Sequence, residues 1–560
     1  MTFLKAAYIS GIFLFYSCSS QPTRTSLGGN IPYGDSLKLS LPNEVKTFFP
    51  LYNDDIYSHR ILCNIFEPLF DVQDSSNNIT PRLAERFEWS NNNKSITLYL
   101  RKGVAFFSDP CFEGKSNEMS AEDVKTTLEL ACSSSSLNQS SNGLIGKIKG
   151  SEDYFYGKST SISGIKIISP YCIEIVLNQP NYNFPKLLSS SKYAIFSKKA
   201  YEYYKDKILF HPIGTGPFLL RKSTPTQIIL AYNASYWKYD RFGNRLPYLD
   251  VIHYGVYSQS QNEITAFKKQ KIDFLFEVPT EKINSIFSPL NEIKEYKPFA
   301  HKVHVVPGSR VSLIVLNQQN ALFNDPRVRK AIDLVINREY IADQLLNGDG
   351  IGANQGVAPP SFYYDNAGVP KRLFDIQRAR RLINEAGYGG DHHIPILHFF
   401  AAGNDIEQIN KYCSYIIDEL KEHLNIDVRL HLVDQAGRIK AVKNNKADMW
   451  KLGLNPDYPD EDAYFGLFFS KNPNTINQNA LLPKINSSIY DFNYTQALQE
   501  KDVVKQNNHY ANCDAILNEE NWVLPILYED YIIIQNLRAR GVMISPIGTI
   551  DFRAAYIKPL

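Results

Sequence analysis

Methionine and tryptophan are scarce in this sequence, four of each in 560 residues. Net charge is scarce as well, since 60 lysines and arginines face 58 aspartates and glutamates. No long basic run breaks that balance, so a nucleic-acid partner has no electrostatic footprint here. Past Cys18 no segment approaches the roughly eighteen uninterrupted apolar residues of a bilayer-spanning helix. No two cysteines stand at C-x-x-C spacing, which argues against a structural zinc site and a thioredoxin-like motif. Catalytic signatures are missing too: there is no G-x-S-x-G elbow and no H-E-x-x-H helix. The stretch Gly150–Ser159 ends in Gly-Lys-Ser, yet six residues separate its glycines and Tyr154-Phe155-Tyr156 fills the place of a bare phosphate loop. Gly348-Asp349-Gly350-Ile351-Gly352 follows a helical stretch, where a dinucleotide fingerprint needs a strand. His392-His393 has no carboxylate or cysteine at ligand spacing and reads as surface histidine. A non-enzyme without cofactor or metal is expected.

What is present is the composition of an ordinary globular protein, 44% hydrophobic and 21% charged. The length is too great for one core and implies two or three domains. The abundance of Tyr (35) and Phe (32) suits strand-rich cores and extended contact surfaces alike. At the start, Lys5 precedes the apolar run Ala6–Tyr16, too short to span a bilayer, and then Phe15-Tyr16-Ser17-Cys18 and the polar run from Ser19 to Thr23. The arrangement resembles a bacterial lipoprotein signal, residues 1–17 being removed and Cys18 lipidated. It departs from the usual pattern in that Leu14 stands one place early. Residues 18–30 then read as a linker from the membrane. Export permits disulfides. Cys63, Cys111, Cys132 and Cys172 cluster in one segment, so pairing within it is an expectation, with the partners open.

Strands are expected at Ser36–Leu41, Ser95–Leu100, Ala447–Leu454 and, around the turn Ser169-Pro170, in two runs over 162–177. Ser120-x-x-Asp123 is a capping box leading into Val124, Leu128 and Ala131. Asp325-Pro326 caps a helix whose stripe is Val328, Ala331, Ile332, Val335 and Ile336. Another begins at Asp375, turns Ala379, Leu382, Ile383 and Ala386 inward and ends at Gly387. The mixture gives an α/β class. Gly214-Thr215-Gly216-Pro217 reads as a tight turn whose glycines supply unusual backbone angles, and Arg329 as a surface or interlobe charge.

The order of short landmarks says more than any one of them. Ile65-Phe66-Glu67-Pro68-Leu69 is followed by Pro81-Arg82-Leu83-Ala84-Glu85, Leu100–Phe106 and Ser120–Val124. Pro212–Phe218, Asn233, Tyr236-Trp237 and Asp325–Ile332 with Asn337-Arg338 come next, then Glu385-Ala386-Gly387-Tyr388 and Asp457-Tyr458-Pro459-Asp460. This succession, over about residues 30–560, resembles the family 5 extracellular solute-binding proteins, the peptide receptors of ABC importers.

The resemblance implies a two-lobed periplasmic-binding-protein clamp (type II, cluster C) with an added domain. Lobe I would be 28–58, 186–305 and 526–560, the accessory domain 59–185, and lobe II 306–525. It implies an exported, lipid-anchored monomer that captures short peptides between its lobes and hands them to separate ABC permease and ATPase subunits. A non-peptide ligand such as a metal chelate or an opine-like solute, or a signalling peptide, stays open, and a surface hydrolase is the reading from another class. The matching aspartate in the family binds the peptide α-amino group, which assigns that role to Asp457 and leaves a turn-forming residue as the alternative. Tyr458 accompanies it on the same loop. Leu454 stands where many relatives carry a pocket tryptophan, and Lys451 where they place an arginine, giving it either a ligand carboxylate or solvent. Pro456 and Glu461 depart from the family pattern around the aspartate.

Overall fold

The computed structural model describes residues 24–558 apart from 46, 53–55, 73–77, 91–92, 139–142, 258–259, 279, 288–300, 362–363, 390–393, 404–405, 473–480 and 546. Cys18 and His392-His393 therefore lie outside the described residues.

Three sheets organise the chain. In the first, Ser36–Leu41 runs parallel to Val251–Val256, which continues antiparallel through Gln227–Tyr232 to Phe218–Thr224. The second is an antiparallel sheet in the order Ala84–Trp89, Ser95–Leu100, Cys172–Val176, Ile165–Ser169. A single continuous core joins them, holding Leu37 and Ile252 of one sheet and Ile96 and Ile173 of the other.

The third sheet has seven strands and is built on two long ones, His301–Leu316 and Val523–Asn536, paired antiparallel. The outer half of Val523–Asn536 pairs with the short strand Phe274–Leu275 and its inner half with Ile351–Gly352, while the inner half of His301–Leu316 pairs with Met449–Leu454. Leu397–Ala401 and Val428–Leu432 complete it. Period-two alternation puts Ile314 and Leu316 into one core and Val311, Leu313 and Val315 into another, so the sheet is covered on both faces. Pro326–Leu334, Ile376–Glu385 and Ile406–Leu424 lie on the first face, and Ser488–Gln499 and Val503–Glu520 on the second. Asp325 and Asp375 cap their helices as their positions predict, and Gly387 takes a positive φ just past the second.

Four expectations change. Arg329 is buried, donating to the Phe323 and Glu520 carbonyls with its guanidinium 4.0 Å from the Trp522 ring centre. Gly214 and Gly216 do not adopt positive φ. They are glycine because the chain passes against backbone: Gly216 N–H donates to the Ile65 carbonyl at 2.9 Å, and a Cβ on Gly216 would lie 2.6 Å from the Asn64 and Ile65 carbonyl oxygens. Cys63, Cys111, Cys132 and Cys172 are free thiols, as are Cys413 and Cys513. Residues 24–30, expected in a linker, are docked: Arg24 donates to the Pro247 and Tyr248 carbonyls and lies over the Tyr232 ring.

Scattered landmarks meet at one buried carboxylate. Glu67 accepts from Arg82 Nε (3.0 Å), Tyr236 Oη (2.7 Å), Trp237 Nε1 (2.9 Å) and Thr215 Oγ1 (2.9 Å). An ionised group can be buried when its lone pairs are filled in this way.

Candidate functional site

The strand Met449–Leu454 ends in Asn455-Pro456-Asp457-Tyr458-Pro459-Asp460, where two prolines fix φ and lend stiffness. Asp460 Oδ1 accepts from Asp462 N–H at 3.0 Å, tying the loop into the helix Asp462–Phe465. This loop forms one wall of a cavity of about 630 Å³, a size suited to a small ligand. The facing wall comes from residues 143–147 and 178–193, and Arg60, Arg310 and Tyr531 lie at the base. The long strands of the third sheet carry Arg310 and Tyr531, so the base is also where the chain crosses between the two halves.

Three lysines of the facing side reach Asp457 and Asp460 of the loop and Asp462 at the start of the helix it enters. Lys147 Nζ lies 2.6 Å from Asp462 Oδ2, Lys186 Nζ 3.0 Å from Asp460 Oδ2 and Lys192 Nζ 2.6 Å from Asp457 Oδ2. Asn183 Nδ2 adds a hydrogen bond to Asp460 Oδ1 at 2.9 Å. Asp462 is buried and also accepts from Tyr458 Oη at 2.6 Å. Burial pushes its carboxyl up, but Lys147 and the tyrosine donors outweigh that and hold it below the usual range. Glu461, buried beside Asp460, is pushed up by desolvation first and by that neighbouring charge second.

At the base, Arg310 donates to Glu277 Oε1 at 3.0 Å and to Asn455 Oδ1 at 2.8 Å. Burial pulls its pKa down, and Glu529 and Glu277 more than reverse this, so the guanidinium is securely charged. Arg60 stacks over Phe276, 4.0 Å from the ring centre, and donates to Tyr531 Oη at 2.7 Å.

Asp457, Leu454 and Tyr458 thus share one cavity wall. Tyr458 does so with its hydroxyl turned to Asp462. Lys451 does not line the cavity. It pairs with Ile314 within the sheet, and burial lowers its pKa against the pull of Glu529. Sequence reasoning missed Lys147, Lys192, Arg60 and Arg310. Lys192 sits behind Ser189-Ser190-Ser191, whose only local signal is a turn, and its partner lies 265 positions away. Among the described residues no group of three metal-ligating side chains occurs, and no helix is long and apolar enough to cross a membrane.

Comparison with known proteins agrees with this architecture. The family model for bacterial extracellular solute-binding proteins, family 5, middle region, matches residues 78–475. The glutathione-binding protein GsiB of Salmonella paratyphi A is 24% identical over 520 residues, covering 91% of this chain and 92% of the relative. GsiB of Escherichia coli O1:K1 is 25% identical over 517 residues, with the same coverage. Among solved structures, Helicobacter pylori DppA in complex with the peptide STSA superposes with a TM-score of 0.78 at 22% identity, over 94% of this chain and 99% of that one. Haemophilus influenzae OppA in complex with RPPGFSPFR gives 0.78 at 18% identity over the same shares. These likenesses fix a two-lobed α/β architecture.

Proposed function

This chain belongs to the bacterial extracellular solute-binding proteins of family 5, and from that premise we propose that it captures short peptides between its lobes and delivers them to an ABC-type permease. In this reading it is a receptor without catalysis, with lobe I formed by 28–58, 186–305 and 526–560, the accessory domain by 59–185 and lobe II by 306–525. Asp457 receives the ligand's ammonium group, Leu454 and Tyr458 form the wall beside it, and Lys451 supports the strand from behind. Cys18 carries the lipid that holds a monomer at the outer side of the membrane. Recovery of the purified protein with an unmodified N-terminus in the aqueous phase of a detergent partition would remove the anchor from this account.

The observation that carries the reading is the position of Asp457: it stands on a proline-stiffened loop that lines the cavity beneath a family-wide fold. A peptide backbone offers the same hydrogen-bonding groups whatever its sequence, so the terminal charge is the feature a general receptor can use. Removing the carboxylate strands a desolvated ammonium, and Asp457→Ala is expected to weaken peptide binding by about 2–5 kcal/mol. Titration calorimetry of both proteins with free and N-acetylated peptide forms a cycle. A coupling energy near zero would leave Asp457 as a turn residue. The curated relatives favour a second ligand, glutathione, by their names alone.

A further inference from the structure

The three ion pairs between the facing walls differ at the acid end. The side chains of Asp462 and Asp460 are 0% and 1% exposed, so Lys147 and Lys186 hold carboxylates that are closed to a ligand. Asp462 is filled further by Tyr458 Oη at 2.6 Å, and Asp460 by Asn183 Nδ2 at 2.9 Å. Asp457 is 29% exposed and faces the cavity, and Lys192 opposite it is 20% exposed. Two of the pairs are therefore structural, and the third stands open to whatever enters.

Lys192 Nζ lies 2.6 Å from Asp457 Oδ2, as a charged donor does when it meets a carboxylate. To that oxygen a lysine ammonium and a peptide α-ammonium are the same group, a compact cation with three donors and no acceptor. Side by side at one carboxylate in a closing cleft they repel, so the second arrives by expelling the first. The way out is short. Lys192 sits in the turn Ser191–Tyr193, its N–H donates to Ser190 Oγ at 3.3 Å, and the Tyr193 side chain is buried. The backbone is thereby fixed, and the flexible stem can swing its charge into the solvent it already touches.

We propose that Lys192 is an internal competitor for the ammonium subsite, its Nζ filling the place on Asp457 until a ligand's amino terminus displaces it. The inference rests on the peptide-receptor reading and adds to it the residue that sets how much an amino terminus contributes to binding. Binding is then an exchange of one cation for another. The exchange still favours a peptide, whose ammonium is fixed by the rest of its contacts while the lysine returns to water. The gain is smaller than the bare contact would give. A lone amine has no further contacts and gains little, so Lys192 is a specificity-determining residue that keeps small cations off Asp457.

Titration calorimetry of the full chain with Ala-Ala-Ala and N-acetyl-Ala-Ala-Ala tests this. Lys192→Met is expected to bind the free peptide about tenfold more tightly than the native protein, and to widen the preference for it over the acetylated one by at least about tenfold. Lys192→Arg keeps the cation and should bind neither peptide more tightly. Thermal melts check that each variant is folded, and Lys192→Gln repeats the measurement with a neutral polar side chain. An unchanged preference in both neutral variants would overturn the inference. So would a narrower one, which would make the lysine a partner of the ligand. Equal affinities for the two peptides in every protein, Asp457→Ala included, would overturn it together with the role of Asp457 and leave a peptide receptor. Failure of the native protein and all variants to bind either peptide would overturn the inference and the peptide-receptor reading together.

Discussion

Lys147 Nζ stands 2.6 Å from Asp462 Oδ2 across the cleft, the lysine at the edge of the facing wall and the aspartate fully buried under its own loop. Lys147→Ala leaves that carboxylate inside without a cation, at a cost of about 3–5 kcal/mol to the closed arrangement. Peptide affinity is expected to fall by roughly two to four orders of magnitude. Solution scattering with saturating ligand should give a larger radius of gyration than for the native protein. Unchanged affinity would show that closure does not draw on this pair.

Asp514 supplies a pH dependence of opposite sense to the usual one for acids. It accepts from Tyr364 Oη at 2.8 Å and Val357 N–H at 2.5 Å, and desolvation pushes its carboxyl up to about 6 in spite of these donors. Folding therefore favours the protonated form. Its contribution is most favourable below the unfolded value of about 4 and declines as pH rises to the folded value of about 6. In urea melts, Asp514→Asn should gain on the native protein between about pH 4 and 6, then hold a constant difference. Parallel curves over that range would place the shift elsewhere.

Gly216 should not tolerate a side chain. A Cβ at 2.6 Å from two carbonyl oxygens of the helix end Asn64-Ile65 forces one backbone away from the other and weakens the Gly216-to-Ile65 hydrogen bond. Gly216→Ala is expected to lose about 1–3 kcal/mol in chemical denaturation. A neutral result would mean that the strand entrance can shift without cost.

The thiols give a simple count. Denatured protein should titrate all six cysteines from Cys63 to Cys513 without reductant. In the native state Cys132, Cys413 and Cys513 should resist alkylation, because each is buried and burial raises its pKa, to about 12 for Cys413. A melting temperature that falls on adding reductant would indicate a disulfide.

Local signals were the legible ones. The Asp325-Pro326 start, the Asp375 cap and the alternation of Ser36–Leu41 each lie within a few residues, and each element formed where its pattern placed it. The landmark order led to the family because it survives over the whole chain. Contacts that bring distant residues together left no mark. Glu67 appears in the sequence only as part of the landmark Ile65–Leu69, and nothing local joins it to Arg82, Thr215, Tyr236 and Trp237, which donate to it in the fold. Arg329 reads as a surface or interlobe charge because most of its acceptors are carbonyls, which every residue has, and its one carboxylate partner, Glu520, lies 191 positions away. Asp457 stands out in the sequence by its loop, while Lys192, which meets it at 2.6 Å, lies 265 positions away.

The core shared by the first two sheets bears on how the molecule comes apart. Leu37, Ile96, Ile173 and Ile252 belong to one apolar cluster that also takes in Phe274, Val306, Tyr531 and Ile533 from the outer part of the third sheet, whereas Ile314 and Val315 of that sheet lie in separate clusters on its two faces. Heat or denaturant acts on cores and not on segments of sequence. The sheet from Ala84–Trp89 to Cys172–Val176 is therefore expected to show no melting transition of its own, and cutting it out would expose the interior of its neighbour. In calorimetry this second sheet should unfold with the first, its stability being that of the core they share.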